Sequence, residues 1–326
     1  MWPKIFPPAG THARAILNAL ERNAMESVPP PIALRPGEHF AGINRVLHWA
    51  IVRILVQAAA VILVVIVTAL ITRKIIPRTQ PLHHDLVMAI NLLSAAALLA
   101  MYALAVRWSE RRPATELNLK IGAPQFLIGI VLGPALMSAA FFILWWLGIA
   151  RFAPGAGWHG LAGGFPTYFA VAVLEELLFR AVLFRILEQV AGTAIAIGAS
   201  AILFGVAHGL NAGATPMGVA GVIIEGGISF ALLYALTRNL WLCIGMHLGW
   251  NSAEGSLFGA QVSGYDQGAS ILRTSLSGPA FLTGGNFGPE GSAIVIGLFL
   301  LFAGVLGFLV VRKGEWLRRT LHFTLP

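Results

Sequence analysis

Apolar residues along this chain gather into eight runs, at about 51–72, 86–106, 126–148, 165–187, 193–209, 217–236, 239–253 and 293–311. An α-helix needs about 20 such residues to cross a bilayer. The pattern therefore predicts an all-α polytopic membrane protein, a bundle of about eight transmembrane helices. The first two runs and the last carry no charge deep inside and read as lipid-facing. The fifth and seventh are short and contain glycine, so they read as spans where neighbouring helices cover them. Small residues at Gly198, Ala199 and Ser200, and at Gly218, Gly221, Gly226 and Gly227, predict close helix–helix approach. An exposed flexible segment is the competing reading of those positions.

The connections are uneven. Residues 1–45 hold seven prolines and read as a proline-rich cytosolic arm, with 46–326 as the membrane domain. Within the arm, Thr11 could cap a short helix that sets Ile16, Leu17, Leu20 and Ala24 on one face, either lying on the membrane surface or belonging to a weakly ordered tail. No cleavable signal peptide is expected. Glu254–Ser292 is a long Gly- and Ser-rich connection with few charges and several apolar residues, among them Leu257, Phe258, Phe281 and Leu282. Loops of that length usually carry function. This one is expected to fold against the bundle as a lid or a partly re-entrant segment.

Composition agrees with the pattern. Hydrophobic residues make up 57% and charged residues 11%, where a soluble chain has about 25% charged. The 22 basic residues outnumber 14 acidic ones, but they flank apolar runs instead of forming a basic tract. That distribution argues against nucleic-acid binding and for the positive-inside rule. Sixteen cations, including Arg53, Arg112, Arg185 and Arg238, fall on the side of both termini and five on the other, which predicts cytoplasmic termini. Arg73, Lys74 and Arg78 argue locally against it. The single cysteine, Cys243, excludes an intrachain disulfide and a cysteine-cluster metal site.

The fourth run breaks its own pattern. Glu175, Glu176 and Arg180 sit near its middle, where each charge costs about 2.5–3.5 kcal/mol on insertion scales. Glu176 and Arg180, at i, i+4, can neutralise each other. Glu175 lies about 100° round the helix, and desolvation would suit it to act as a general base near neutral pH. A structural ion pair beside a water pocket explains the same residues. The fifth run ends with Phe204 and His208 at i, i+4, and the seventh carries His247 and Asn251 at i, i+4. Three apolar segments that each offer polar groups at helical spacing point to one intramembrane site.

Glu175-Glu176-x-x-x-Arg180, Phe204-x-x-x-His208 and His247-x-x-x-Asn251 resemble the three motifs of the CPBP intramembrane proteases. These are the CAAX-protease and bacteriocin-processing proteins, which include the Ras-converting CAAX endopeptidase. Arg111-Arg112-Pro113 through Glu116-Leu117, and Leu276 to Gly288, are also similar to bacterial members. The resemblance covers a core at about 126–311. It implies an integral membrane protein, of the inner membrane in a bacterium, that hydrolyses a peptide bond. Glu175 assisted by His208 would activate water, His247 and Asn251 would donate hydrogen bonds to the oxyanion, Glu176 with Arg180 would hold the geometry, and Phe204 would pack beneath His208.

The family is also described as metalloproteases, so Glu175, His208 and His247 are the residues that would hold a zinc ion. The chain has no H-E-x-x-H, and the expected reading is a metal-independent enzyme without a cofactor. A transporter would show paired halves, which residues 51–187 and 193–311 do not. A non-catalytic scaffold of the same fold stays open. The expected partners are membrane lipid and a lipophilic or membrane-tethered peptide or protein. Nothing in the residues selects a prenylated one, and nothing indicates the oligomeric state.

Overall fold

The apolar runs become helices wherever the chain is described, in a computed structural model that covers residues 43–75, 84–266 and 268–318. The proline-rich arm with its Thr11–Ala24 segment, and Arg78, lie outside those residues. The chain divides into Met1–Val46 and Leu47–Pro326, and the bundle is the second unit.

Helices α1 (Ile43–Ile75), α2 (His84–Glu110) and α3 (Leu119–Trp146) come first, followed by strand β1 (Ala150–Pro154). Helix α4 (Trp158–Glu176) runs through a π-helical stretch, Leu177–Phe184, into α5 (Arg185–Ala191). Next is α6 (Thr193–His208), then α7 (Pro216–Val222), which passes through a second π stretch, Ile223–Ser229, into α8 (Phe230–Thr237). Helix α9 (Trp241–Asn251) ends in a third π stretch, Ser252–Leu257. Strand β2 (Leu272–Leu276), the short α10 (Ala280–Thr283) and α11 (Ala293–Arg312) complete the chain. The starts are set by side chains: Asn118 accepts from Lys120 N, Thr215 from Gly218 N ahead of Pro216, and Ser292 from Ile294 N.

This is an all-α polytopic membrane fold. Among the described residues, five helical stretches are long and apolar enough to cross a bilayer: Trp49–Ile75, Asp85–Glu110, Leu119–Trp146, Pro216–Thr237 and Ala293–Arg312. Thr193–His208 is apolar but shorter. Leu55, Leu93, Val131 and Leu301 point outward from their helices, an apolar exterior that suits lipid and not water.

Glycine decides how α9 is seated. A Cβ on Gly129 of α3 would lie 2.5 Å from Met246 N, and one on Gly249 of α9 would lie 2.7 Å from Pro134 Cδ. Gly133 and Gly245 meet the opposing backbone in the same way. The two small-x-x-x-small faces let α3 and α9 touch backbone to backbone. His247 and Asn251 are left on the other face of α9. Gly226 and Gly227 also lie against α6, as their spacing predicts, at Phe204 and Ala201. Gly198 does not: nothing stands within 4 Å of a Cβ there.

The long connection after α9 is ordered and packed. β1 and β2 pair antiparallel from Ala150↔Leu276 to Pro154↔Leu272, a ribbon that no local pattern predicts. Phe258 stacks on Phe141 with ring centroids 4.1 Å apart, and Phe287 is wholly buried.

At the end of the bundle where α3 begins, a charged network ties α1, α2 and α5 to the connection between α2 and α3. Glu110 accepts from Arg53 (2.7 Å), Arg112 (2.6 Å), Arg185 (2.8 Å) and Gln57 (2.7 Å). Glu116 accepts from Arg112 (2.9 Å) and from the Tyr102 hydroxyl. Burial alone would push the Glu116 carboxyl up, but the Arg112 hydrogen bond and the charges of Arg185 and Arg112 hold it below its ordinary value. Arg185, counted among the cations on the side of the termini, is buried in this network.

Candidate active site

Each motif occupies a different helix, and the helices bring them together. Glu175 and Glu176 close α4, just before its π stretch. A π turn holds an extra residue and shifts the face of everything after it, a device frequent at functional sites. His208 ends α6, and His247 and Asn251 stand one turn apart on α9.

Glu175 lies between the two histidines. Its Oε2 is 3.8 Å from His208 Nε2 and 3.8 Å from His247 Nε2. The Glu175 side chain is 21% exposed and that of Glu176 fully buried. Adjacent carboxylates therefore have different surroundings: one faces a cavity and the other faces protein.

Both imidazoles are oriented through Nδ1. His208 Nδ1 is 2.9 Å from the Phe204 carbonyl, which can only accept, so Nδ1 carries the proton and Nε2 presents a lone pair towards Glu175 in the neutral ring. His247 Nδ1 is 2.9 Å from Glu176 Oε1. Glu176 also faces Arg180 Nε at 3.2 Å, the i, i+4 pair its spacing predicts. Its contact with His247 is additional to that pair.

Arg180 is clamped in turn. It donates to the Gly226 carbonyl, and its guanidinium carbon lies 4.5 Å from the Phe204 ring centre and 5.4 Å from that of Phe230. Phe204 packs on His208 at 4.6 Å between ring centres, and Phe230 on His247 at 5.6 Å. Arg180 and the two phenylalanines thus form one stack beneath both histidines, with cation–π contacts at its centre.

These groups open into one cavity of about 460 Å³ lined by Glu175, His208, His247 and Asn251. All seven residues singled out in the motifs lie in or directly under it. Reading from the sequence missed Glu225 and Glu290, which line the same cavity. Glu225 could have been found by the rule that singled out Glu175, since it is a lone acid inside the apolar run 217–236.

The same residues fit zinc poorly. Tetrahedral ligands about 2.1 Å from the metal stand about 3.4 Å from each other, and both Glu175–histidine separations are wider, at 3.8 Å. Among the described residues no group of three His, Cys, Asp or Glu is placed to hold a metal ion.

Residues 157–253 match a protein-family model described as Rce1-like, type II CAAX prenyl endopeptidase Rce1-like. That is the family the motifs resemble, and the matched segment contains all three. No curated protein and no solved structure matches the chain.

Proposed function

We propose, taking the Rce1-like match over residues 157–253 as premise, that this integral membrane protein is an endopeptidase in which Glu175 and His208 activate a water molecule. The observation that carries this reading is the placement of one Glu175 oxygen 3.8 Å from each of two histidine Nε2 atoms, in a cavity.

In the reaction, the water oxygen attacks the scissile carbonyl carbon and its proton passes to Glu175, with His208 Nε2 accepting the second hydrogen bond. The carbonyl oxygen becomes an oxyanion. Asn251 offers it a carboxamide N–H. His247 can offer Nε2–H while Nδ1–H serves Glu176 only when both ring nitrogens are protonated. Such donors, fixed in a site shielded from bulk water, supply several kcal/mol to the charge that develops. The tetrahedral intermediate then collapses, the C–N bond breaks, and the proton on Glu175 goes to the departing amine.

The apolar exterior suits a lipophilic or membrane-tethered substrate. The cytoplasmic placement of both termini, and of the Arg53, Arg112 and Arg185 end with them, belongs to the same proposal. Glu175→Gln keeps the shape of the side chain and removes the base. It is expected to lower turnover of a membrane-anchored peptide by at least about 10³-fold, with unchanged expression and melting temperature. A physiological activity that persists in this variant after peptide turnover is lost would favour the scaffold reading, and undiminished turnover would overturn Glu175 as the base. We further propose that no metal takes part: prolonged chelation should change turnover less than twofold, and zinc at one equivalent in active protein, lost together with activity, would reverse that.

A further inference from the structure

The cavity has a second wall that hydrolysis leaves unused. Glu225, from the π stretch between α7 and α8, Glu290, from the turn before α11, and Asp266 line it, and among the described residues no lysine or arginine does. The chain as a whole has a net charge of +8. Its cations are elsewhere, and Arg180, the nearest to the site, is engaged by Glu176 and Gly226.

The acidic groups are unequally satisfied. Glu290 accepts from Ser263 N (2.7 Å), Ser263 Oγ (2.8 Å) and Trp250 Nε1 (3.3 Å). Glu225 is only 3% exposed, and among the described residues neither of its carboxyl oxygens has a hydrogen-bond partner. The fold sets the two acids side by side: Gly221 packs on the Glu290 backbone, and a Cβ there would lie 3.3 Å from Glu225 Oε1. Glu254, also buried, adds no cation. A buried carboxyl with neither donor nor cation is costly and is retained where a partner arrives. The partner that fits is an organic cation, because no three His, Cys, Asp or Glu among the described residues are placed to hold a metal ion. Asp266, exposed and hydrogen-bonded to Gln261 at 2.9 Å, extends the negative field to solvent.

We propose that Glu225 and Glu290 form an anionic subsite that takes the ammonium or guanidinium group of a lysine or arginine in the substrate chain. The proposal rests on the endopeptidase reading and names a feature of its substrate: a basic side chain near the scissile bond of an otherwise apolar, membrane-held segment.

The test is binding to the full-length Glu175→Gln protein in lipid nanodiscs. The probes are myristoylated nonapeptides of alanine and leucine, with lysine, norleucine or glutamate placed in turn at each position. At one or two positions, the lysine peptide is expected to bind about tenfold more tightly than its norleucine partner, and the glutamate peptide most weakly. Adding Glu225→Gln, or separately Glu290→Gln, should bring lysine and norleucine within about twofold. Melting temperatures check that each variant is folded. Equal affinity for lysine and norleucine at every position overturns the subsite, as does a lysine preference that survives both carboxamide variants. Failure of the endopeptidase reading shows separately, as wild-type protein that leaves every peptide uncut while these affinities stand.

Discussion

Two groups of charged side chains are buried in this bundle, and the protein treats them in opposite ways. Where α3 begins, Glu110 and Glu116 are ringed by Arg53, Arg112, Arg185, Gln57 and Tyr102, and both carboxylates accept from several donors. At the cavity, Glu175 Oε2 and both oxygens of Glu225 have no hydrogen-bond partner among the described residues. Desolvating a carboxylate is equally unfavourable in either place. In the network that cost is offset within the chain, so it holds helices together. In the cavity it is left standing, in residues that line a space another molecule can enter.

The contrast is sharpest in activity. His208→Ala should lower kcat by about 10²–10⁴-fold, the range for losing a general acid–base group, with little change in melting temperature. A large loss of stability instead would place His208 with the structural charges. Arg185→Met is the converse. Removing one partner from a buried charge network is expected to cost about 3 kcal/mol, read by chemical denaturation in detergent, while activity per folded molecule is retained. The smallest effect is in acid. Because the folded-state value of Glu116 lies below its ordinary one, its contribution to stability is complete above the ordinary carboxylate range. That contribution is lost as pH falls through the folded-state value. Wild type should therefore lose more melting temperature than Glu116→Gln on acidification below that range; parallel losses would mean that Glu116 is not the group responsible.

The motif residues were legible because each is a polar group where apolar sequence surrounds it. Glu175, Glu176, Arg180, His208, His247 and Asn251 stand out by cost alone, and helical spacing pairs them correctly. The helices themselves were legible for the same reason. The β1–β2 ribbon was not, since its strands lie more than a hundred residues apart and neither has a pattern that names its partner. The π stretches leave no trace in a periodicity read at 3.6 residues per turn. The partners of Arg185 were not legible because a charge flanking an apolar run looks the same whether it meets water or a buried carboxylate. Gly198 shows the converse error: a small residue permits close approach without requiring it.

The β1–β2 ribbon couples two distant stretches of the chain. Five residues of each strand are in register, and the ladder continues where Gly155 and Ala156 donate to Ile271 and Ser270. The chain leading into α4 and the chain leaving α9 are therefore stitched into a single flap. Whatever lifts one must lift the other, and α4 carries Glu175. A displacement of the segment after α9 is thus transmitted through the ribbon to the start of the helix that bears Glu175.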